Sequence, residues 1–327
     1  MIMGFGCSVP AIINTRTLAD KKEKVATIRV IPFFSCSAKL PILTAISGGI
    51  VSFYGVGNAD LITYSMYLLG VIVAFFSVLL MRSTTLKGDD SPFIMELPSY
   101  RVPKFSSTVS LLWDKAKHFL QKAFTIILAS TIVIWVLTHF NFSWKFLQDD
   151  QINQSILAGI GQIVQPLFTP LGFGSQLGAY GWVFVVASVT GLIAKENVIA
   201  SLSTLAVCLM TVASKDFGGL DLLAEDGIDA VKAMILATNI TIPGLLSFIA
   251  FNMTTIPCFA TVATAKGELG KKSFKATMVF WVVASYIVAS IVYLVGSWWW
   301  TAFIYAACFI VLALVIKQKN KRGQVKK

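Results

Sequence analysis

Seven stretches of this chain run without a single Asp, Glu, Lys or Arg: 40–59, 61–81, 123–144, 151–194, 197–214, 233–265 and 276–316. A membrane-crossing helix needs about 20 apolar residues, so the pattern leaves room for at least six crossings. Spans are predicted over 30–52, 61–81 and 123–141. The last uncharged run would form a helix about 60 Å long, twice the hydrocarbon core, so it must fold back as a hairpin. Ser297-Trp298-Trp299-Trp300 marks the turn, at an interface that favours tryptophan. In 106–123, apolar Val109, Leu112, Trp113, Ala116, Phe119 and Leu120 recur every three to four positions, with charged residues between them. That spacing predicts an amphipathic helix along the cytoplasmic interface, or an early extension of the span that follows.

The middle of the chain does not fit plain spans. Loops dense in Lys and Arg stay cytoplasmic, and 22 of the 27 basic residues fall in 16–29, 82–122, 266–275 and 317–327. All four clusters are therefore expected inside, with 53–60 and 141–179 outside. If 180–210 and 232–265 each crossed once, the last two clusters would end outside. One of these segments must be broken, re-entrant or doubled. Each carries a breaking point: Ala194-Lys195-Glu196-Asn197 in the first and Asn239 to Gly244, with Pro243, in the second. Broken backbone at membrane depth survives only where protein buries it or where it lines a cavity.

Composition agrees with the pattern. The 327 residues are 56% hydrophobic and 13% charged, against about 25% charged in a soluble domain. A net charge of +11 would raise nucleic acid as a partner of a soluble protein, but here the charge sits in loops between spans, so no nucleic acid is expected. The five cysteines, 7, 36, 208, 258 and 308, are odd in number and scattered, with no CxxC pair, so reduced thiols are expected. The start has neither a basic n-region nor a cleavage site of a signal peptide.

Candidate chemistry sits where charge or proline interrupts the apolar runs. Lys195 and Glu196 are the only charges between 151 and 214, and an ionisable residue within a membrane is by default a functional candidate. Adjacent residues do not face each other on a helix, so each needs another partner. Lys39 is the lone charge in 30–59, beside Cys36 and between Pro32 and Pro41. Proline frees backbone carbonyls, and carbonyls beside a thiol suit a cation; alternatively Lys39 snorkels to the cytoplasmic side of a kinked helix. Proline also precedes Cys258 in "NMTTIPCFA", and "GFGCSVPAIINTRTL" aligns loosely with "GLIAKENVIASLSTL". Two related halves, each with a broken element, would point to a binding site between them.

In this order, "GFGCSVPAIINTRTL", "PFFSCSAKLP", "PFIMELPSYRVP", "GLIAKENVIASLSTL" and "IPCFATVATAKGE" resemble the ferrous iron transport protein B family, over nearly the whole chain to about residue 296. The resemblance implies an all-α polytopic membrane protein with two Gate-type repeats, broken or re-entrant helices and roughly seven to eight membrane segments. It implies the permease part of a GTP-dependent Fe²⁺ importer of the bacterial cytoplasmic membrane; the basic tail, by contrast, itself puts the carboxy terminus in the cytoplasm. Its presumed transient Fe²⁺ ligands fall on Cys7, Cys36, Glu196 and Cys258, with Ser8, Lys39, Lys195 and Asn197 in support. The family usually has Asn where this chain has Ser8, and Arg where it has Lys39. No resident cofactor and no enzyme activity are expected; Fe²⁺ is cargo. No GxxxxGK[ST] phosphate loop occurs, so GTP would act through a separate or lost G-domain half. Other expected partners are the lipid bilayer and a small SH3-like accessory protein, with oligomerisation open.

The chain then divides into 1–82, the end of a first Gate repeat entered midway; 83–122, a cytoplasmic loop with the amphipathic helix; 123–296, a core with the second repeat; and 297–327, an extra helix and basic tail. Competing readings are a permease for another divalent cation or a nucleoside-like solute, and an inert fragment of a split gene. An intramembrane metalloenzyme is disfavoured by having only His118 and His139 and no HExxH.

Overall fold

The computed structural model describes residues 2–18, 20–84, 104–147, 151, 154–193, 195–213, 227–301 and 303–305. Helices dominate them, and their single isolated β-bridge pairs Phe140 with Phe146. Among the described residues, four stretches are helical, long and apolar enough to cross a membrane: Lys21–Tyr54, Ala59–Thr84, Ile242–Glu268 and Lys271–Ser297. The chain is a multi-pass, all-α membrane protein.

Two of these four stretches are not continuous helices. The first opens with α1 (Ser8–Asn14) upstream, then α2 (Lys21–Val30), capped by the Asp20 carboxylate accepting from the Lys22 N–H at 2.9 Å. Pro32 stops α2 in a single 3-10 turn, Phe34 to Cys36 are non-helical, and a second 3-10 turn spans Ser37–Lys39. Then α3 (Leu40–Tyr54) begins, with Pro41 in its first turn, where a missing N–H costs nothing. Gly55, at φ +65°, closes α3 by donating to the Val51 carbonyl at 2.9 Å.

Two long helices follow. α4 (Ala59–Thr84) has 26 residues, about 39 Å. α5 (Phe105–His139) has 35 residues and no Gly or Pro to break it. The amphipathic stretch 106–123 is the first half of α5, continuous with the apolar half that follows. α6 (Ile156–Val164) is capped by the Ser155 hydroxyl and leads through irregular turns into α7 (Trp182–Ile193).

The expected breaks are present in both middle segments. Lys195 and Glu196 form a turn between α7 and α8 (Asn197–Ala213). Asn239, in the left-handed region at φ +52°, ends α9 (Ile228–Thr238) before α10 (Ile242–Thr254). A further break, at 255–258, separates α10 from α11 (Phe259–Glu268). α12 (Lys271–Ser297) ends at the tryptophan turn, and helix resumes at Thr301. The loop 85–103, the acidic segment 214–226, Cys308 and the basic tail lie outside the described residues.

Burial divides into two apolar clusters. The larger gathers α3 and α7 to α10 around Ile42, Trp182, Val198, Met234 and Phe248. The smaller gathers α1, α2, α4, α11 and α12 around Ile12, Ile28, Phe33, Ala265 and Trp281. The two broken stretches straddle both. Phe33 lies in one cluster and Ile42 in the other; Met253 lies in one and Ala265 in the other. The smaller cluster is pinned at one edge, where the Trp281 indole donates to the Arg29 carbonyl at 2.8 Å. At another edge Glu268 accepts from both Arg16 and Lys24, tying α11 to α2 and to the turn before it.

Gly70 lets α4 lie directly on the first break. A Cβ there would sit 2.6 Å from the Phe33 carbonyl oxygen, a backbone atom that cannot swing away. Gly70→Val is therefore expected to lower stability by about 1–3 kcal/mol, the usual cost of overpacking. Thermal unfolding in detergent checks it, with Gly267→Val, where nothing lies within 4 Å of the added Cβ, as a nearly neutral control.

Candidate functional site

The breaks at 34–36 and 255–258 meet. A helix that stops inside a membrane leaves its last carbonyls without intrahelical donors. At the end of α10 those include Asn252 and Met253; in the 3-10 turn that ends α2 they include Pro32. Lys39 supplies what both ends lack. Its ammonium donates to the Pro32 carbonyl at 2.6 Å and the Met253 carbonyl at 2.6 Å, with the Phe34 carbonyl at 3.5 Å. Lys195, in the turn after α7, donates to the Asn252 carbonyl at 3.1 Å. These side chains are only 3% and 2% exposed. Lys39 is therefore not snorkelling, and the carbonyls that Pro32 frees are engaged by an ammonium group already within the chain.

A positive group at a helix C-terminus also complements the helix dipole. No carboxylate pairs with either lysine among the described residues. Among the described residues, the hydrogen bonds that these two side chains make all go to backbone carbonyls.

Around these lysines the structure gathers three of the four expected ligands. Cys7 lies within electrostatic reach of Cys36 and Cys258, and both of these lie within reach of Lys39 and Lys195. Each of the three cysteines immediately precedes a helical turn: Cys7 before α1, Cys36 before Ser37–Lys39 and Cys258 before α11. The Ser37 N–H and hydroxyl reach the Gly6 carbonyl at 3.4 and 3.5 Å, which sets Cys7 beside Cys36. The Phe5 ring packs edge-on against Phe34 at 4.9 Å in the same place. The Cys258 thiol sits 3.2 Å from the Thr261 hydroxyl. All three thiols are half-buried and free. They do not form a closed cage: no group of three His, Cys, Asp or Glu among the described residues is spaced to hold a metal together.

Glu196 is not among them. It occupies the same turn as Lys195 but is exposed, whereas Lys195 points into the junction. Asn197, half-buried, lines a different space, a hollow of about 220 Å³ with Trp135, His139, Thr190 and Ser201 on its walls. Ser8 is buried at the start of α1.

One residue of the junction was not singled out from sequence. Asn252 is fully buried; its amide NH₂ donates to the Phe248 carbonyl at 2.9 Å, while its side-chain oxygen has no hydrogen-bond partner among the described residues. It faces Gly191, where a Cβ would come within 3.2 Å of that oxygen. The signal was an amide in an uncharged run five residues before Pro257.

Two family models match the chain. "Ferrous iron transport protein B C terminus" covers residues 63–115, and "Nucleoside recognition", the Gate model, covers 120–272. Proteins called "Fe(2+) transporter FeoB" match at 33% identity over 91% of this chain in Methanocaldococcus jannaschii and 35% over 89% in Campylobacter jejuni. The chain belongs to the ferrous iron transport protein B family. It spans 41% and 45% of the length of those two relatives. No solved structure matches it. For a member of this family, the junction of two broken stretches is the site that sequence motifs and geometry have in common. Three of the quoted family motifs, around Cys7, Cys36 and Cys258, converge on it.

Because the three thiols share one junction, a thiophilic ion should affect them together. Cd²⁺ is expected to slow alkylation of Cys7, Cys36 and Cys258 in parallel, measured by mass spectrometry on the purified chain. Protection of one thiol with the other two unchanged would separate them into unrelated positions.

Proposed function

We propose that the chain forms the membrane permease part of a GTP-dependent Fe²⁺ importer of the bacterial cytoplasmic membrane. Fe²⁺ passes the junction by brief ligation to the Cys7, Cys36 and Cys258 thiols. The observation that carries this reading is the convergence of three half-buried free thiols on two helix breaks, in a chain whose relatives are called Fe(2+) transporters. Thiolate ligands suit borderline and soft divalent ions. A conducting site must also release its ion, so an open set of thiols serves better than a tight cage. Glu196, exposed at the adjoining turn, acts at the mouth of the route, concentrating cations by its charge.

GTP hydrolysis is supplied by a G domain on another part of the transporter. The Lys-rich loops lie in the cytoplasm, where the positive-inside rule puts them.

Uptake of radioactive Fe²⁺ by the importer carrying these changes tests the assignment. Cys36→Ser and Cys258→Ser are each expected to lower the rate at least about tenfold, since a hydroxyl is a poor substitute for a thiolate. Glu196→Gln should lower it less, through a higher half-saturating Fe²⁺ concentration with little change in maximal rate. Equal uptake by the serine variants at normal protein abundance would rule out the thiol route. A fall in abundance with normal transport per molecule would make these residues structural.

A further inference from the structure

We propose that Lys39 and Lys195 set the metal selectivity of the junction by filling, with their own ammonium groups, the carbonyl sites that a hard cation would need. The proposal rests on the reading of the junction as a metal route and adds a reason for what that route refuses. Broken helices in membranes commonly offer the carbonyls at their C-terminal ends to Na⁺ and similar ions. Ca²⁺ takes six to eight oxygen ligands, and Mg²⁺ demands an octahedral set. Here the oxygens such ions would use are occupied: Pro32, Phe34 and Met253 by Lys39, and Asn252 by Lys195.

What remains open at the junction is of a different chemical kind. Among the described residues it includes the half-buried, free Cys7, Cys36 and Cys258 thiols. Sulfur ligands favour Fe²⁺, Zn²⁺, Cd²⁺ and copper over Ca²⁺, Mg²⁺ and Mn²⁺. The ammonium groups thus remove the oxygen set and leave the sulfur set.

Replacing Lys39 by Met keeps the length and apolar stem and removes the charge. The carbonyls of Pro32 and Met253 then lack their donor, and a cation can take its place. The full chain, purified in detergent, is read by thermal unfolding and equilibrium dialysis with Ca²⁺, Mn²⁺ and Cd²⁺ as the probes. The wild-type chain is expected to bind Cd²⁺ and to show no stabilisation by Ca²⁺. Lys39→Met is expected to unfold at lower temperature without added ion and to gain at least about 3 °C from about 10 mM Ca²⁺. Its preference for Cd²⁺ over Ca²⁺ should fall at least about tenfold. Lys39→Arg keeps a charge and more than enough donors, and should behave as wild type.

Folded Lys39→Met that gains nothing from Ca²⁺ or Mn²⁺ would overturn the proposal, as would Lys39→Arg gaining as much as Lys39→Met. If Lys39→Met does not yield folded protein, Lys195→Met, which loses a single hydrogen bond, is read by the same criteria. A wild-type chain that takes no Cd²⁺ would remove the metal-route reading instead, and the Ca²⁺ arm does not depend on that result.

Discussion

The Lys39 ammonium donating to carbonyls from two different helix ends is the contact on which the rest of the architecture depends. A stopped helix inside a membrane strands its last carbonyls, each unsatisfied group costing about 1–3 kcal/mol. A buried ammonium without partners is worse, by several kcal/mol. Neither deficit is tolerable alone, and each removes the other when they meet. Break, lysine and second break are therefore a single structural unit. The two apolar clusters follow from it, because each broken stretch places one half in each cluster.

That unit is held from both sides. Glycine at position 70 brings α4 onto the Phe33 carbonyl, and glycine at 191 brings α7 up to Asn252. Small residues permit such close approach where lipid offers no hydrophobic drive between helices. The far end of α11 is fixed by Glu268, which pairs with Arg16 and Lys24. Cys258 begins the same helix. The thiols thus lie at the starts of short helical pieces near one another, without forming a closed cage among the described residues.

Balance of charge gives the junction its character. Two buried lysines, with no carboxylate paired to either among the described residues, make it a poor resting place for a further cation, unless a thiol gives up its proton. On the proposed reading that is an advantage for a conduit: an ion is admitted by chemistry it gains from sulfur, and is released because the surroundings repel it. Weak and successive contacts move ions; tight ones store them.

Much of this was legible in the linear chain, because it rests on local chemistry. Uncharged runs of about 20 residues mark spans wherever they fold, and Pro32, Pro41, Pro243 and Pro257 interrupt or start helices through a missing N–H that no tertiary contact can restore. The tryptophan turn and the breaks at 195–196 and 239–241 are of the same kind. The course of α5 was ambiguous, since an amphipathic stretch and an apolar one can form two helices or one, and only packing chooses. The destination of Lys39 was equally open, for a long flexible side chain reaches solvent or protein with the same sequence around it. Lys195 and Glu196 are neighbours in the chain, yet one is buried and the other exposed, a choice made by where the Asn252 carbonyl lies. Sequence alone determined which residues break helices and which carry charge or sulfur. Tertiary structure decided which of those groups meet, because a stranded carbonyl in an apolar medium is satisfied by whichever donor the fold brings to it, and here that donor came from 214 residues away.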